Sequence, residues 1–184
     1  VMPVIIAVSE VSPKNKAARQ EVEYHIDGFN THSLNLDGNT GRGMLVYIHD
    51  SINKSVSTVE VKSQFSEVIG IEIKLVAGDK LVFYCCYRSP SSSDENNQQL
   101  NEIVGSLSDG SHSHVLAVGD FNYPSINWDN CSTSQAEDST DGKFLDAVRS
   151  SFLYQHVNSH TRERAGQNPS LLDLVFTNEE DMVS

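Results

Sequence analysis

Residues 69–87 read Ile-Gly-Ile-Glu-Ile-Lys-Leu-Val-Ala-Gly-Asp-Lys-Leu-Val-Phe-Tyr-Cys-Cys-Tyr. From Ile69 to Leu75 the odd positions are apolar and the even ones are not, which is the period of an antiparallel strand with one buried face. Ala77-Gly78-Asp79 supplies a turn, and Leu81 to Tyr87 returns as the second arm, so the stretch predicts a β-hairpin.

Downstream of the hairpin, Ser92-Ser93-Asp94-Glu95 reads as a capping box ahead of a helix whose Leu100, Ile103, Val104 and Leu107 recur at helical spacing. Val115 to Val118 is a further strand. A second amphipathic helix is expected from about Asp141, carrying Phe144, Leu145, Val148 and Phe152, and a last strand from Leu171 to Thr177. Between them, Tyr123 to Thr140 is the longest irregular stretch. Upstream, Val4 to Val8 and Met44 to Ile48 are short, apolar runs that suit buried strands, the first covered on both faces. Val11 to Asn39 is polar, broken by Pro13, Gly28 and Gly38, with room for a short strand over Phe29 to Leu34. Strands outnumber helices, and both helices are amphipathic. This pattern predicts an α/β fold of two packed β-sheets flanked by helices, a four-layer α/β sandwich.

At 184 residues the chain fits one domain, 1–184, able to bury roughly 70% of the surface its unfolded form exposes. The longest apolar run, Leu81 to Tyr87, is far too short to cross a bilayer, so no membrane partner is expected. Val1 to Val8 carries neither a basic leader nor a small-residue cleavage site, and three cysteines suit neither a disulfide framework nor a zinc site. Together these point to an intracellular, reducing location, nuclear or cytoplasmic. Against 25 acidic residues stand only 13 Lys and Arg, for a net charge of -12. Counterion release is then small, and any contact with DNA is expected to be weak, local and assisted by metal.

The sharpest candidate site is Val118-Gly119-Asp120-Phe121-Asn122, where an apolar strand ends in a glycine followed by polar side chains at i and i+2. In extended chain Asp120 and Asn122 share one face while Phe121 turns to the core. A carboxylate beside an amide can take a proton from water while the amide donates to a phosphate; the plainer reading is an Asx turn after a strand. Glu10 ends its own strand, and Asp173 interrupts Leu171-Leu172-Asp173-Leu174-Val175. Taken singly each is an ordinary strand-edge residue. Together they place three carboxylates on three strand segments, a number that suits Mg²⁺ retaining several waters and a substrate phosphate. Tyr87-Arg88-Ser89-Pro90 sets a phenol and a guanidinium at a strand exit, and Arg88 can clamp phosphate or pair with a neighbouring acid. The seven histidines are scattered without metal-ligand spacing and read as surface or core residues.

In order, Ile5-Ile6-Ala7-Val8-Ser9-Glu10, Gly41-Arg42-Gly43, Tyr87-Arg88-Ser89-Pro90, Gly119-Asp120-Phe121-Asn122 with Ile126-Asn127-Trp128, and Leu172-Asp173-Leu174-Val175-Phe176-Thr177-Asn178 are similar to successive motifs of the endonucleases of LINE-type (non-LTR) retrotransposons. These form a branch of the endonuclease/exonuclease/phosphatase superfamily, whose fold is DNase I-like. The resemblance spans nearly the whole chain. It implies that Glu10 is a ligand of a catalytic Mg²⁺ or Mn²⁺, that Tyr87 and Arg88 line a phosphate pocket, and that Asp120 activates or orients the attacking water with Asn122 helping to bind phosphate. By the same resemblance Asp173 orients a catalytic histidine, and Thr161-Arg162 is a DNA contact. Set against the family pattern, the chain opens directly on the Glu10 strand, without a preceding strand carrying a metal-site Asn. It also stops at Ser184 before any Ser-Asp-His strand. Bare edges are therefore expected beside both the Glu10 and Asp173 strands, with self-association through them.

The resulting expectation is a divalent-metal-dependent DNA endonuclease that nicks by in-line attack of water. Its product would be a 3′-hydroxyl that a reverse transcriptase domain of a longer polyprotein can extend. Two alternatives stand beside it: a degenerate copy of the fold that acts as an interaction module, and a phosphatase of small phosphoesters.

Overall fold

The computed structural model describes residues 2–11, 21–36, 42–61, 63–163, 166 and 169–183. Among these the strands are β1 (Ile5–Ser9), β2 (Phe29–Leu34), β3 (Met44–His49), β4 (Val56–Thr58), β5 (Val68–Lys74), β6 (Lys80–Tyr87), β7 (His114–Asp120), β8 (Ile126–Asn127), β9 (Ser132–Thr133), β10 (Tyr154–Gln155) and β11 (Asp173–Thr177). Helix α1 (Asp94–Ser106) joins β6 to β7, and α2 (Thr140–Ser150) lies between β9 and β10. The expected breakers Pro13 and Gly38, and Gly41 of the Gly-Arg-Gly motif, fall outside the described residues.

The hairpin forms as read: β5 and β6 pair antiparallel from Val68–Cys86 to Lys74–Lys80, closed by a 3-10 turn in which Leu75 N–H donates to Asp79 O at 2.8 Å. It sits inside a six-stranded sheet ordered β10-β11-β7-β6-β5-β4, while β1-β3-β2 make a separate three-stranded sheet. Among the described residues only β6 and β7 pair in parallel, which their crossover through α1 permits.

Strand β6 explains its own unbroken apolar sequence. Phe83, Cys85 and Tyr87 pack with Ile69, Ile71 and Ile73 of β5 against Met44, Val46 and Ile48 of the smaller sheet. The alternate residues Val82, Tyr84 and Cys86 pack with Leu100, Ile103 and Val104 of α1 and Phe144, Leu145 and Val148 of α2. A strand covered on both faces carries no polar alternation. Both helices thus lie on the outer face of the larger sheet. The smaller sheet's outer face, with Phe29, Leu45 and Tyr47, packs against Tyr24 of the 3-10 turn Glu21–Tyr24, whose backbone carbonyl accepts from Tyr47 Oη at 2.7 Å. The sandwich of packed sheets is as expected, but among the described residues its fourth layer is a short turn and not an α-helix. No helix among them is long and apolar enough to cross a membrane.

Several local expectations change. Strand β1 is not covered on both faces: Ala7 and Val8 are exposed, because β1 has β3 as its one neighbour in the sheet. Conversely, β11 is not bare, since β7 lies on one side and β10 on the other, with His156 N–H donating to Val175 O just beyond β10. Helix α1 is capped by Ser93, whose hydroxyl accepts from Asn96 N–H, one residue later than the capping box suggested. Helix α2 is capped by Ser139 and ends at Ser150, so Phe152, expected on its apolar stripe, lies beyond it at φ 52° and is 84% exposed. The left-handed turn there hands the inward position to Leu153, which packs on the core. The irregular stretch after Tyr123 holds the small β8–β9 hairpin.

Phe144 has no exposed surface; its ring stacks on Tyr123 at 4.1 Å between centroids and meets Phe121, Phe176 and Trp128. Emptying that position removes the common contact of α2, β11 and the loop after β7. Phe144→Ala should lower the unfolding free energy by roughly 3–5 kcal/mol. Urea denaturation measures this, and a loss under about 1 kcal/mol would show the aromatic cluster to be dispensable.

Candidate active site

Three neighbouring strands finish at one level. In the parallel β6–β7 pair Tyr87 lies opposite Asp120, and in the antiparallel β7–β11 pair Asp120 lies opposite Asp173. The smaller sheet brings Glu10 to the same place at the end of β1, where Glu10 takes a left-handed φ of 56°. Across the gap between the sheets Tyr87 Oη donates to Glu10 Oε1 at 2.8 Å. These four residues line one cavity of about 670 Å³, together with Arg42, Asn122, Thr161 and Arg162. The sequence-predicted residues Glu10, Tyr87, Asp120, Asn122, Thr161, Arg162 and Asp173 are therefore brought together from segments far apart in the chain.

Arg88 does not join them. Its guanidinium is buried on the helix side of the sheet, donating from Nε to Asn97 Oδ1 and from Nη1 to the Asn122 carbonyl, both at 2.7 Å, and lying 4.2 Å over the Tyr123 ring. The expected phosphate clamp is instead a strut between α1 and the loop after β7. Asn122 is largely committed too: its Nδ2 donates to Arg88 O at 2.8 Å. The route by which Asp120 and Asn122 come to share the cavity also differs from the extended chain foreseen. Asn122 is left-handed (φ 51°), and its N–H donates to Asp120 Oδ1 at 3.2 Å, so an Asx turn brings the two together. Phe121 does turn inward, as expected, onto Phe144 and Phe176. Thr161 serves Asp173 as a positioning residue. Its hydroxyl oxygen accepts from Leu172 N–H and Asp173 N–H at 3.1 and 3.0 Å, which fixes the first turn of β11.

Two further residues were not singled out from the sequence. Glu67 is buried just before β5; its Oε1 accepts from Arg42 N–H at 3.1 Å, and burial raises its pKa against the opposing pull of Arg42. Arg42 places Nη1 3.4 Å from Glu10 Oε1. The one available signal was Arg42's position inside the Gly-Arg-Gly motif.

The sequence profile of the endonuclease-reverse transcriptase family matches residues 81–184, more than half of the chain. The chain belongs to that family. Solved structures agree on the fold. The endonuclease domain of TRAS1, a telomere-specific non-LTR retrotransposon, superposes with a TM-score of 0.60 at 12% identity, covering 94% of this chain and 71% of that one. An endonuclease/exonuclease/phosphatase family protein from Leptotrichia buccalis gives 0.56 at 16% identity, covering 96% and 76%. ANGEL2, a 2′,3′-cyclic phosphatase, gives 0.51 at 13%, covering 96% and 70%. No curated protein sequence matches the chain.

For a member of the endonuclease-reverse transcriptase family, the balance of charge in the cavity is the informative property. Its acidic groups are all hard oxygen donors, the ligand type that Mg²⁺ and Mn²⁺ take, and such an ion completes its shell with water and substrate oxygen. Among the described residues no group of three or more His, Cys, Asp or Glu converges closely enough to hold an ion by itself. The donor set therefore fits an ion bound by one or two carboxylates and not a closed protein cage. Asp120 carries the mark of this crowding. Burial first, then the facing Asp173 carboxylate, then Glu10 push its pKa up to about 6, against the hydrogen bonds from Asn122 that lower it. Tyr87 is held protonated by burial and by its bond to Glu10, which keeps it a donor.

A carboxyl whose pKa is higher folded than unfolded binds its proton more tightly in the native state. Between about pH 4 and pH 6 the folded form thus holds more protons, and stability contributed by Asp120 is lost as the pH rises through that window. Asp120→Asn removes this penalty while keeping an acceptor for Asn122 N–H. In metal-free buffer at pH 7 the variant should be more stable than the parent by on the order of 1–2 kcal/mol, after discounting for the group's partial exposure, and equally stable near pH 3. Thermal or urea unfolding across pH tests this. An Asp120→Asn protein that is less stable at pH 7 would contradict the proposed repulsion.

Proposed function

We propose that the chain is a divalent-metal-dependent endonuclease that nicks DNA by hydrolysing a phosphodiester bond. The observation that carries this reading is the alignment of Tyr87, Asp120 and Asp173 across β6, β7 and β11, facing Glu10 from the other sheet. A substrate phosphate entering the cavity meets a carboxylate base and the guanidinium of Arg162, beside the Tyr87 phenol whose proton is given to Glu10. Glu10 is the residue to hold Mg²⁺ or Mn²⁺, with the Tyr87 hydroxyl fixing its orientation. When bound, such an ion polarises the phosphoryl oxygen and offsets charge that builds up on it.

Asp120 accepts the proton of the attacking water at its carboxylate as the water's oxygen bonds to phosphorus, and the bond from phosphorus to the 3′ oxygen breaks. The departing 3′ oxygen takes a proton from solvent, so the products are a 5′-phosphate and a 3′-hydroxyl, the latter a primer for a reverse transcriptase domain. With a pKa of about 6 Asp120 is still ionised at neutral pH and is a stronger base than an ordinary carboxylate. Asp173 contributes through that shift, and Thr161 fixes its backbone. The -12 charge makes binding to DNA weak, because few phosphate contacts are available to release counterions.

Incubation of supercoiled plasmid with Mg²⁺ or Mn²⁺, with and without chelator, tests the activity directly. Nicked circles should accumulate only with metal. Asp120→Ala should slow the reaction by about 10²–10⁴-fold while changing DNA affinity by less than about threefold. A wild-type chain that nicks with neither ion would sink this reading, and turnover of a 2′,3′-cyclic phosphate in its place would move it to the small-phosphoester class.

A further inference from the structure

The cavity's cations are arranged differently from its acids. Arg88 is turned away, which leaves Arg42 and Arg162 as the guanidinium groups in the lining among the described residues. Arg42 enters between the buried Glu67, which takes its backbone N–H, and Gly43, from which β3 begins. Its contact with Glu10 is 3.4 Å, longer than the 2.7–2.9 Å typical of a charge-assisted hydrogen bond, and the Tyr87 hydroxyl occupies the same oxygen at 2.8 Å. The Arg42 Nε, like the Arg162 Nε, is buried and has no hydrogen-bond partner among the described residues. A structural arginine normally spends its buried donors, as Arg88 does here on Asn97 and Asn122. Arg42 holds one in reserve beside an open cavity. A guanidinium whose Nε is unspent and whose Nη1 is loosely held can turn the two-pronged edge formed by Nε and Nη2 onto two oxygens of a phosphate.

We propose that Arg42 is a phosphate-binding residue of this cavity, holding Glu10 loosely until a phosphodiester takes the guanidinium. The inference rests on the nuclease reading for its substrate, but its anion chemistry stands apart from cleavage. Arg42 releases Glu10 as it turns onto phosphate, so anion binding leaves Glu10 free for a cation, and the two kinds of ligand assist one another.

The test uses the full chain with Ca²⁺ to hold back cleavage, a fluorescent duplex as one probe and inorganic phosphate as the other. Arg42→Gln should weaken duplex binding about tenfold or more and reduce the slope of log affinity against log salt by about one. Arg42→Lys, which keeps the charge and loses the fork, should retain the slope and recover part of the affinity. Lys80→Gln removes the same charge at the opposite end of β6, where Lys80 pairs with Glu72, and should change neither. Mn²⁺ uptake followed by electron paramagnetic resonance should persist in Arg42→Gln, showing the carboxylates and fold intact. Wild-type affinity and slope in Arg42→Gln would overturn the proposal, as would equal losses in Lys80→Gln. If Arg42→Gln does not fold, Arg42→Lys decides alone: unchanged duplex affinity overturns, and a loss with the slope retained supports. A wild-type chain that takes up phosphate through Arg42 but does not bind the duplex would set the nuclease reading aside and leave this site standing. A wild-type chain that takes up neither probe overturns the inference itself.

Discussion

Where β7 runs beside β6, the backbone of Gly119 meets the Cys86 carbonyl so closely that a Cβ at Gly119 would stand 1.8 Å from the carbonyl oxygen, at a φ of 148°. No side chain fits there. That approach fixes the parallel register at its last step, with Gly119 opposite Cys86 and Asp120 opposite Tyr87. Because β11 takes its own register from β7, Asp173 is set by the same constraint. The carboxylate pair and the phenol are thus placed by backbone geometry, and their side chains inherit a level that no loop has to supply. Sites built on strand ends in this way are more rigid than sites carried by loops alone.

The fold then holds together what electrostatics would separate. Two carboxylates directly opposite on adjacent strands repel, and among the described residues neither Asp120 nor Asp173 has a cationic partner in a hydrogen-bonded pair. What opposes the repulsion lies one residue further in. Phe121 is clamped by Phe144 and Phe176, Phe121 N–H donates to Leu172 O, and Arg88 ties the Asn122 carbonyl to α1. The core therefore stabilises a local arrangement that is unfavourable by itself, a pattern common where function requires like charges to meet.

How far the sequence could be read depended on whether a property was local. Periodicity reports burial, so the hairpin and both helices followed from spacing alone, whereas the double cover of β6 shows only in the structure. Abrupt polar residues at the ends of apolar runs marked Glu10, Asp120 and Asp173. Arg88 was misplaced, although the signal existed: continuing the alternation of Val82, Tyr84 and Cys86 by one step puts residue 88 on the helix side. The exposure of β1 was not readable, since the number of neighbours a strand acquires is a tertiary property. Nor were Glu67 and Arg42, which meet each other and Glu10 only through contacts between segments distant in the chain. Phe152 missed the core because the helix stopped one turn short of it, and capping decides helix ends less sharply than an apolar stripe suggests.

The single parallel pairing has a consequence for how the molecule assembles. Strands β5, β6 and β7, with α1 between the last two, are consecutive in sequence and form a unit whose contacts close over short loops, whereas β11 reaches β7 only after α2 and a long intervening segment. Loop-closure entropy favours the first set and delays the second. Asp120 accordingly spends the early part of folding at a free sheet edge, solvated and without Asp173 opposite. The repulsive pair forms only when β11 docks, in the same step that brings Phe176 onto Phe121 and the Leu172 carbonyl onto Phe121 N–H. Folding in that order keeps this like-charge contact out of the nucleus.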